Sequence, residues 1–354
     1  VRGFARHWGA ELFGSPWRAL LSLLLAGLLA GLLPRALDWA VVHAVFRADL
    51  AACRALDHAG ACWGVIAEKG RAILFGRYPY AQQWRPLAGM LLLSAVLGLS
   101  AWPRAWRAGV LLALWGLGLP LFLLLMRGGA FGLEAVPTSL WGGLPLTLLL
   151  SVCGLAAAFP LGVLLAFGRR SGWPVMRSVC TAYIELVRGV PLISVLFMAS
   201  FMLPLLLPPE WKTDVLIRVL VGLTLFTAAY LAETVRGGLQ AVPQGQLLAA
   251  RALGLTELQV QRDIVLPQAL RAVVPALMNS FIGTFKDCSL VSIVSLYELT
   301  GSLGLALGGD PEWRPFYLEG YLFIAAVYGL LCLVMSRYSR FIERRLRAAP
   351  RRAT

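Results

Sequence analysis

Charge is what this chain has least of. Of its 354 residues only 14% are Asp, Glu, Lys or Arg, while 59% are hydrophobic and the mean hydropathy is +0.74. A soluble domain carries about 25% charged residues, so a soluble globular protein is excluded. Lysine is nearly absent: Lys69, Lys212 and Lys286 are the three. Only Lys212 precedes a Ser or Thr, in "PPEWKT", and no glycine-rich turn leads into it, so there is no loop to cradle phosphates. The three histidines all precede residue 60, and no Ser/His/Asp arrangement stands out. His43 and His58 lie near Cys53 and Cys62 without tight ligand spacing. The expectation is a chain without enzyme activity, cofactor or metal.

Long apolar runs are what the chain does have. Stretches of about 20 such residues match the hydrocarbon thickness of a bilayer. Eight can be placed, at roughly 19–43, 86–102, 108–126, 140–168, 190–208, 215–235, 269–296 and 320–336. The fold class is therefore all-α, a polytopic helical membrane protein. The second run is short, which requires a steep span or a locally thin bilayer. The first contains Pro34, Arg35 and Asp38, so its hydrophobic part ends near Leu33 with an interfacial continuation. It has no small-x-small site followed by a soluble domain and is not read as a cleaved signal.

A net charge of +14 suggests nucleic acid, but the arginines sit in short segments between apolar runs, where topology signals lie. With the N-terminus inside, twenty of the 32 basic residues fall on the cytoplasmic side and eleven outside, leaving Lys286 within a span. Asp49, Asp57, Glu68, Glu210, Asp214, Asp310 and Glu312 fall outside. Both termini are expected in the cytoplasm. The tail "SRYSRFIERRLRAAPRRAT" then lies beside anionic lipid, a plainer reading than a nucleic-acid patch. Cys53 and Cys62 share the long outer segment. An oxidising compartment permits a disulfide between them, with two unpaired thiols as the alternative.

One segment breaks the pattern. Residues 246–267, "QLLAARALGLTELQVQRDIVLP", look like two short amphipathic helices from a water-soluble protein. Pro243 suits a helix start, and Leu247, Ala250 and Leu253 share one side. Gly254 stands where glycine ends helices, Thr256 opens a Thr-x-x-Gln capping box, and Pro267 stops or kinks the second helix. Such a cytoplasmic hairpin is either an interfacial connector or a helix docked in a partner's groove.

The run Ala249, Ala250, Gly254, Ile264, Leu266, Pro267 resembles the EAA loop of bacterial ABC-importer permeases. The spacing from the glycine to "I-x-LP" matches fully, while Leu248 stands at the family's glutamate position. Further stretches resemble polar-amino-acid permeases: "GGLPLTLLLSVCGLAAAFPLGVLLAFGRRS", "YIELVRGVPLISVLF", "AAYLAETVRGGLQAVPQGQ", "FKDCSLVSIVSLYEL" and "SRFIERRL". In the fourth, Cys288 replaces the usual threonine. The segment "GACWGVIAEKGRAILFGRYPYAQQWRP" resembles the M-type permease of the general L-amino-acid system. That resemblance implies a three-span extension (1–130, outer loop about 44–85), a five-span core (131–340) with a coupling loop at 241–267, and a basic tail (341–354). It implies a bacterial inner-membrane permease moving L-amino acids inward, with two ATPase subunits, a second related permease and a periplasmic binding protein as partners. Ala249, Ala250, Arg251, Gly254, Ile264, Leu266 and Pro267 would couple to the ATPase. With no charge at Leu248, the grip rests on apolar packing and Arg251.

Charges within a membrane mark pathways or internal pairs. Lys286 and Asp287 lie mid-span, and Glu233 nears the inner end of the sixth span. Tyr230 shares a helix face with Glu233, as Asn279 does with Lys286. Lys286 and Glu233 would suit the carboxylate and ammonium of an amino acid. The alternative is that Glu233, Arg236, Lys286 and Asp287 pair among themselves and hold the core. Glu185 and Arg188 are read as bracing the entrance of the fifth span. A gradient-driven transporter would show inverted repeats, which are not seen, and a docking scaffold would bind an ATPase without moving solute.

Overall fold

The computed structural model describes residues 12–57, 59–206, 208 and 213–348. His58, Glu210, Lys212 and the end of the tail, with Arg351 and Arg352, lie outside the described residues. Among the described residues, seven helices are long and apolar enough to cross a membrane, or eight if a bent pair counts as one span.

The chain packs as two units. The smaller holds residues up to Gly70 together with Asp310–Leu322. It begins with α1 (Pro16–Leu37), capped by the Ser15 hydroxyl and prolonged by a π-helical turn over Asp38–Val42. The candidate span it forms, Pro16–Val42, buries nothing within the chain, as suits a lipid-facing helix. After α2 (Leu50–Ala55), a disulfide joins Cys53 to Cys62, with their Cα atoms 5.3 Å apart. The Cys62 N–H donates to the buried Glu319 Oε1 (2.9 Å), and Lys69 Nζ lies 2.7 Å from Asp310 Oδ2. A β-carbon on Gly60 would stand 2.0 Å from the His43 carbonyl oxygen, so only glycine fits that crossing.

The larger unit holds Arg71–Gly309 and the residues from Phe323 on. Helix α3 (Gly64–Phe75) leads toward α4 (Trp84–Ala101), which packs on α5 (Ala108–Arg127). With the 3-10 turn at Tyr80–Gln82, the second span covers 22 residues, Tyr80–Ala101. The expectation of a short span there is corrected: Gln82 and Arg85, which interrupt the apolar sequence, are helical. The buried Arg85 donates to the Leu125 and Glu134 carbonyls.

Helices α6 (Gly143–Arg169) and α9 (Val215–Ala241) form the main seam. Small residues let the two backbones approach, as membrane helix pairs require: a β-carbon on Gly162 would stand 3.0 Å from the Ala228 carbonyl oxygen, and Ala158, Ala166 and Ala232 share the same buried cluster. Between them, α7 (Pro174–Arg188) meets α8 (Leu192–Leu206) at a bend of 106°. The bend falls at "GVP", where Pro191 withholds a backbone donor and disfavours helix in the residue before it. Past the hairpin, α12 (Leu266–Asp287) passes into a 3-10 turn (Cys288–Val294) and the left-handed Ser295, then α13 (Leu299–Gly308). The last helix, α14, runs Tyr317–Ala348.

Candidate functional site: a helical hairpin and an ion-pair cluster

The hairpin opens with α10 (Gln244–Ala252), with Pro243 at its N-cap. Gly254 follows at φ +77°, and its N–H donates to the Arg251 carbonyl (2.9 Å). A β-carbon at Gly254 would touch nothing within 4 Å, so the demand for glycine is one of backbone conformation and not of space. The capping box then forms in both directions. The Gln259 N–H donates to the Thr256 hydroxyl, and the Thr256 N–H to Gln259 Oε1 (2.8 Å). It starts α11 (Glu257–Gln259), which continues as a π-helical turn over Val260–Val265. Pro267 does not stop this piece: it lies in the first turn of α12, directly after the π-helical turn, and the helical span runs on through it.

One side of the hairpin is fastened and the other is bare. Ala250, Val260 and Val265 are buried against α6, α9 and α12. Leu248, Leu253 and Leu258 are 63%, 82% and 75% exposed. Ala249, Arg251 and Pro267 are exposed, while Ile264 and Leu266 are half-buried. Arg251 bonds Glu257 through Nη2 (3.0 Å) and Nε (3.2 Å), bridging the turn between the limbs.

A second feature gathers charges from three helices. Glu233 on α9 accepts from Arg236 Nε at 2.9 Å, from Arg169 Nη1 at 3.2 Å, and lies 3.8 Å from Arg188 Nη1. Arg169, at the end of α6, also holds Glu185 of α7 at 2.7 Å. Arg188 lies over the Tyr230 ring, 5.7 Å from its centre. The cluster ties α6, α7 and α9 together at the elbow before α8. Of the internal pairing expected for Glu233, Arg236, Lys286 and Asp287, the Glu233–Arg236 part is formed. The other partners of Glu233 are Arg169 and Arg188, which sequence reasoning counted only as a topology signal and an entrance brace.

Lys286 stands apart from that cluster. It and Asn279 are exposed on α12, with open space at Gly283 between them, and Asp287 is half-buried. Glu298, unmarked in the sequence reading, is fully buried. It caps α13 by accepting the N–H groups of Thr300 and Gly301 (both 2.9 Å) and takes the Tyr328 hydroxyl at 2.8 Å. Its signal in the sequence was slight, since a glutamate before "LTG" reads as an ordinary helix start. In the smaller unit, the hydrogen bond from Lys69 holds the Asp310 carboxyl below its usual range.

Residues 158–348 match the family model described as "binding-protein-dependent transport system inner membrane component". The chain belongs to this family. It is a multi-pass inner-membrane permease subunit of a binding-protein-dependent transport system, not a catalytic enzyme. It is 44% identical over 340 residues to the inner membrane amino-acid ABC transporter permease protein YhdY of Escherichia coli (strain K12), covering 95% of this chain and 91% of that protein. Identity to the glutamate/glutamine/aspartate/asparagine transport system permease protein BztC of Rhodobacter capsulatus is 37% over 371 residues, covering 87% of this chain and 86% of that one. Among solved structures, the crystal structure of an amino acid ABC transporter with histidines superposes with a TM-score of 0.51. Its identity is 31%, and the match covers 57% of this chain and 92% of the other. The permease family model includes the hairpin and the ion-pair cluster from Arg169 onward.

Proposed function

We propose that this permease carries L-amino acids, over a broad range, from the periplasm to the cytoplasm. The observation that carries the reading is the hairpin, fastened on one side and bare on the other, built around the left-handed Gly254. One of two ATPase subunits docks there, through Ala249, Arg251, Gly254 and the exposed leucines, with Ala250, Ile264, Leu266 and Pro267 setting the hairpin against the spans. A second related permease completes the pathway, and a periplasmic binding protein delivers the solute. ATP-driven closure of the ATPase pair moves the hairpins and switches the core between inward- and outward-open states, which requires the ATPase to bind those states unequally. Amino-acid cargo is supported by the names of the relatives, each described as an amino-acid system.

Both termini lie in the cytoplasm in this reading, on the balance of basic residues. Residues 1–130 act as a three-span extension with its outer loop at about 44–85, and 131–340 as the transporting core. On the substrate path, Asn279 and Lys286 present an amide and a cation on the open face of α12, where a cation meets the carboxylate that every amino acid carries. Asp287 and Tyr230 flank that path. Glu233, engaged by three arginines, braces it instead of accepting the ammonium group.

The test is uptake of a labelled amino-acid panel into proteoliposomes holding the partner proteins, with ATP on the ATPase side. Gly254→Pro is compared with wild type while ATPase co-purification is followed. Uptake that needs ATP and is lost in the variant supports coupling through the hairpin. Uptake indifferent to ATP and to the substitution overturns it in favour of gradient-driven transport.

A further inference from the structure

The hairpin does not lie flush on the spans. A cleft of about 430 Å³ opens beside α10, lined on the hairpin side by Gln244, Leu247, Leu248 and Arg251, and across from it by Gln240 and Arg170. Arg170 caps the C-terminal end of α6, far from the hairpin in sequence. Two guanidinium groups and two amides thus converge on one concavity, and among the described residues no Asp or Glu lines it. Glu257, which pairs with Arg251, is not part of the wall, and the ion pairs of α6 fall to Arg169, not Arg170. The apolar part of the wall includes Leu248.

We infer that this cleft receives a carboxylate-bearing side chain of the ATPase subunit, with Arg170 and Arg251 as its two cationic contacts. The inference rests on the proposed docking of the ATPase at the hairpin. It adds a contact outside the hairpin and assigns the sign of charge on each side. A guanidinium presents a fork of donors that suits a carboxylate. Arg251 already holds Glu257 outside the wall, while Arg170 has no ion pair among the described residues, so the anion is drawn chiefly by Arg170 with Arg251 as the second contact. The cleft is continuous with the exposed edge of Leu248 and Arg251, so one partner reaches both. Its position adds a functional point. Arg170 moves with α6 and Arg251 with α10, so an anion held by both links a transporting span directly to the coupling helix. The inserted carboxylate would carry ATPase movement to α6 without passing through the buried seam.

The scarcity of lysine supplies a clean test. The complex carrying Arg170→Lys, in nanodiscs, is treated with a carbodiimide that joins amines to carboxylates in contact. Adducts are mapped by peptide mass spectrometry. An adduct between position 170 and an Asp or Glu of the ATPase subunit is the expected result. In parallel, Arg170→Glu should weaken capture of the purified ATPase roughly fivefold, with the difference from wild type shrinking at high salt. A bound ATPase with no adduct at position 170, and capture unaffected by Arg170→Glu, overturns the inference while leaving hairpin docking intact. An Arg170→Glu effect that vanishes in nanodiscs without anionic lipid also overturns it, and assigns the cleft to a lipid headgroup. If wild-type permease captures no ATPase, the docking reading fails and the inference with it. Gly254→Pro separates the cases, since it should abolish capture even where Arg170 proves irrelevant.

Discussion

Arg251 Nη2 stands 3.0 Å from Glu257 Oε2, joining the two limbs of the hairpin across the turn at Gly254. Both side chains are more than half exposed, so the pair contributes little to stability by itself. Its effect is on direction: it limits the angle at which α11 leaves α10. The left-handed glycine and the capping box act on the same angle from the backbone.

Gly254→Ala should therefore impair transport without unfolding the chain. The added methyl meets no atom, but a left-handed backbone costs a non-glycine residue about 1–2 kcal/mol. Uptake should fall several-fold, and Gly254→Asn should fall less because asparagine tolerates that conformation. Equal uptake by all three proteins would show that the turn does not transmit force.

Glu233→Gln tests the ion-pair cluster. The substitution leaves Arg169, Arg188 and Arg236 with no full negative charge between them except Glu185. A loss of about 1–3 kcal/mol is expected from half-buried donors deprived of their acceptor. Thermal unfolding in detergent measures it, and Glu185→Gln, removing an exposed partner of Arg169 alone, should cost less.

Close packing of α9 on α12 predicts a different kind of failure. A β-carbon on Gly238 would lie 2.5 Å from the Ala269 carbonyl oxygen, a backbone atom that cannot swing aside. Gly238→Ala should separate the helices and destabilise the larger unit by about 1–3 kcal/mol. Gly237→Ala next to it, in open space within the helix, is the control and should leave the melting temperature unchanged or slightly raised.

In the smaller unit, the Asp310 carboxyl is depressed by its hydrogen bond from Lys69. A carboxyl with a lower folded than unfolded pKa stabilises above the unfolded value, and that contribution is lost as pH falls through the folded one. The protection of amides across residues 50–70, corrected for the intrinsic pH dependence of exchange, should therefore fall as the medium is acidified through and below the ordinary carboxylate range. Asp310→Asn should exchange faster at neutral pH and lose that part of the acid response. Wild-type protection that is flat with pH would exclude the clasp.

Much of the fold was legible because apolar length and helix punctuation are local properties. Gly254, Thr256 and Gln259 announce their roles through spacing alone, and each candidate span is a continuous run. The elbow between α7 and α8 was legible only in part. "YIELVRGVP" reads as an entrance brace, but a bend of 106° depends on what receives the two helices. That Pro267 does not stop the second helix was not legible for a related reason, since a proline that ends a helix and one that a continuing helix passes through look alike in sequence.

The sequence by itself determined that the chain lives in a membrane, roughly where its spans lie, and where a polar hairpin interrupts them. These follow from transfer free energies and from capping chemistry between residues a few positions apart. Only the tertiary structure decided which charges meet. Arg169 reaches Glu233 across 64 positions, Lys286 stays out of that cluster, and Arg170 joins Arg251 along one cleft. Partnership between distant charges is set by the packing of small residues along the α6–α9 seam, and no local pattern encodes it.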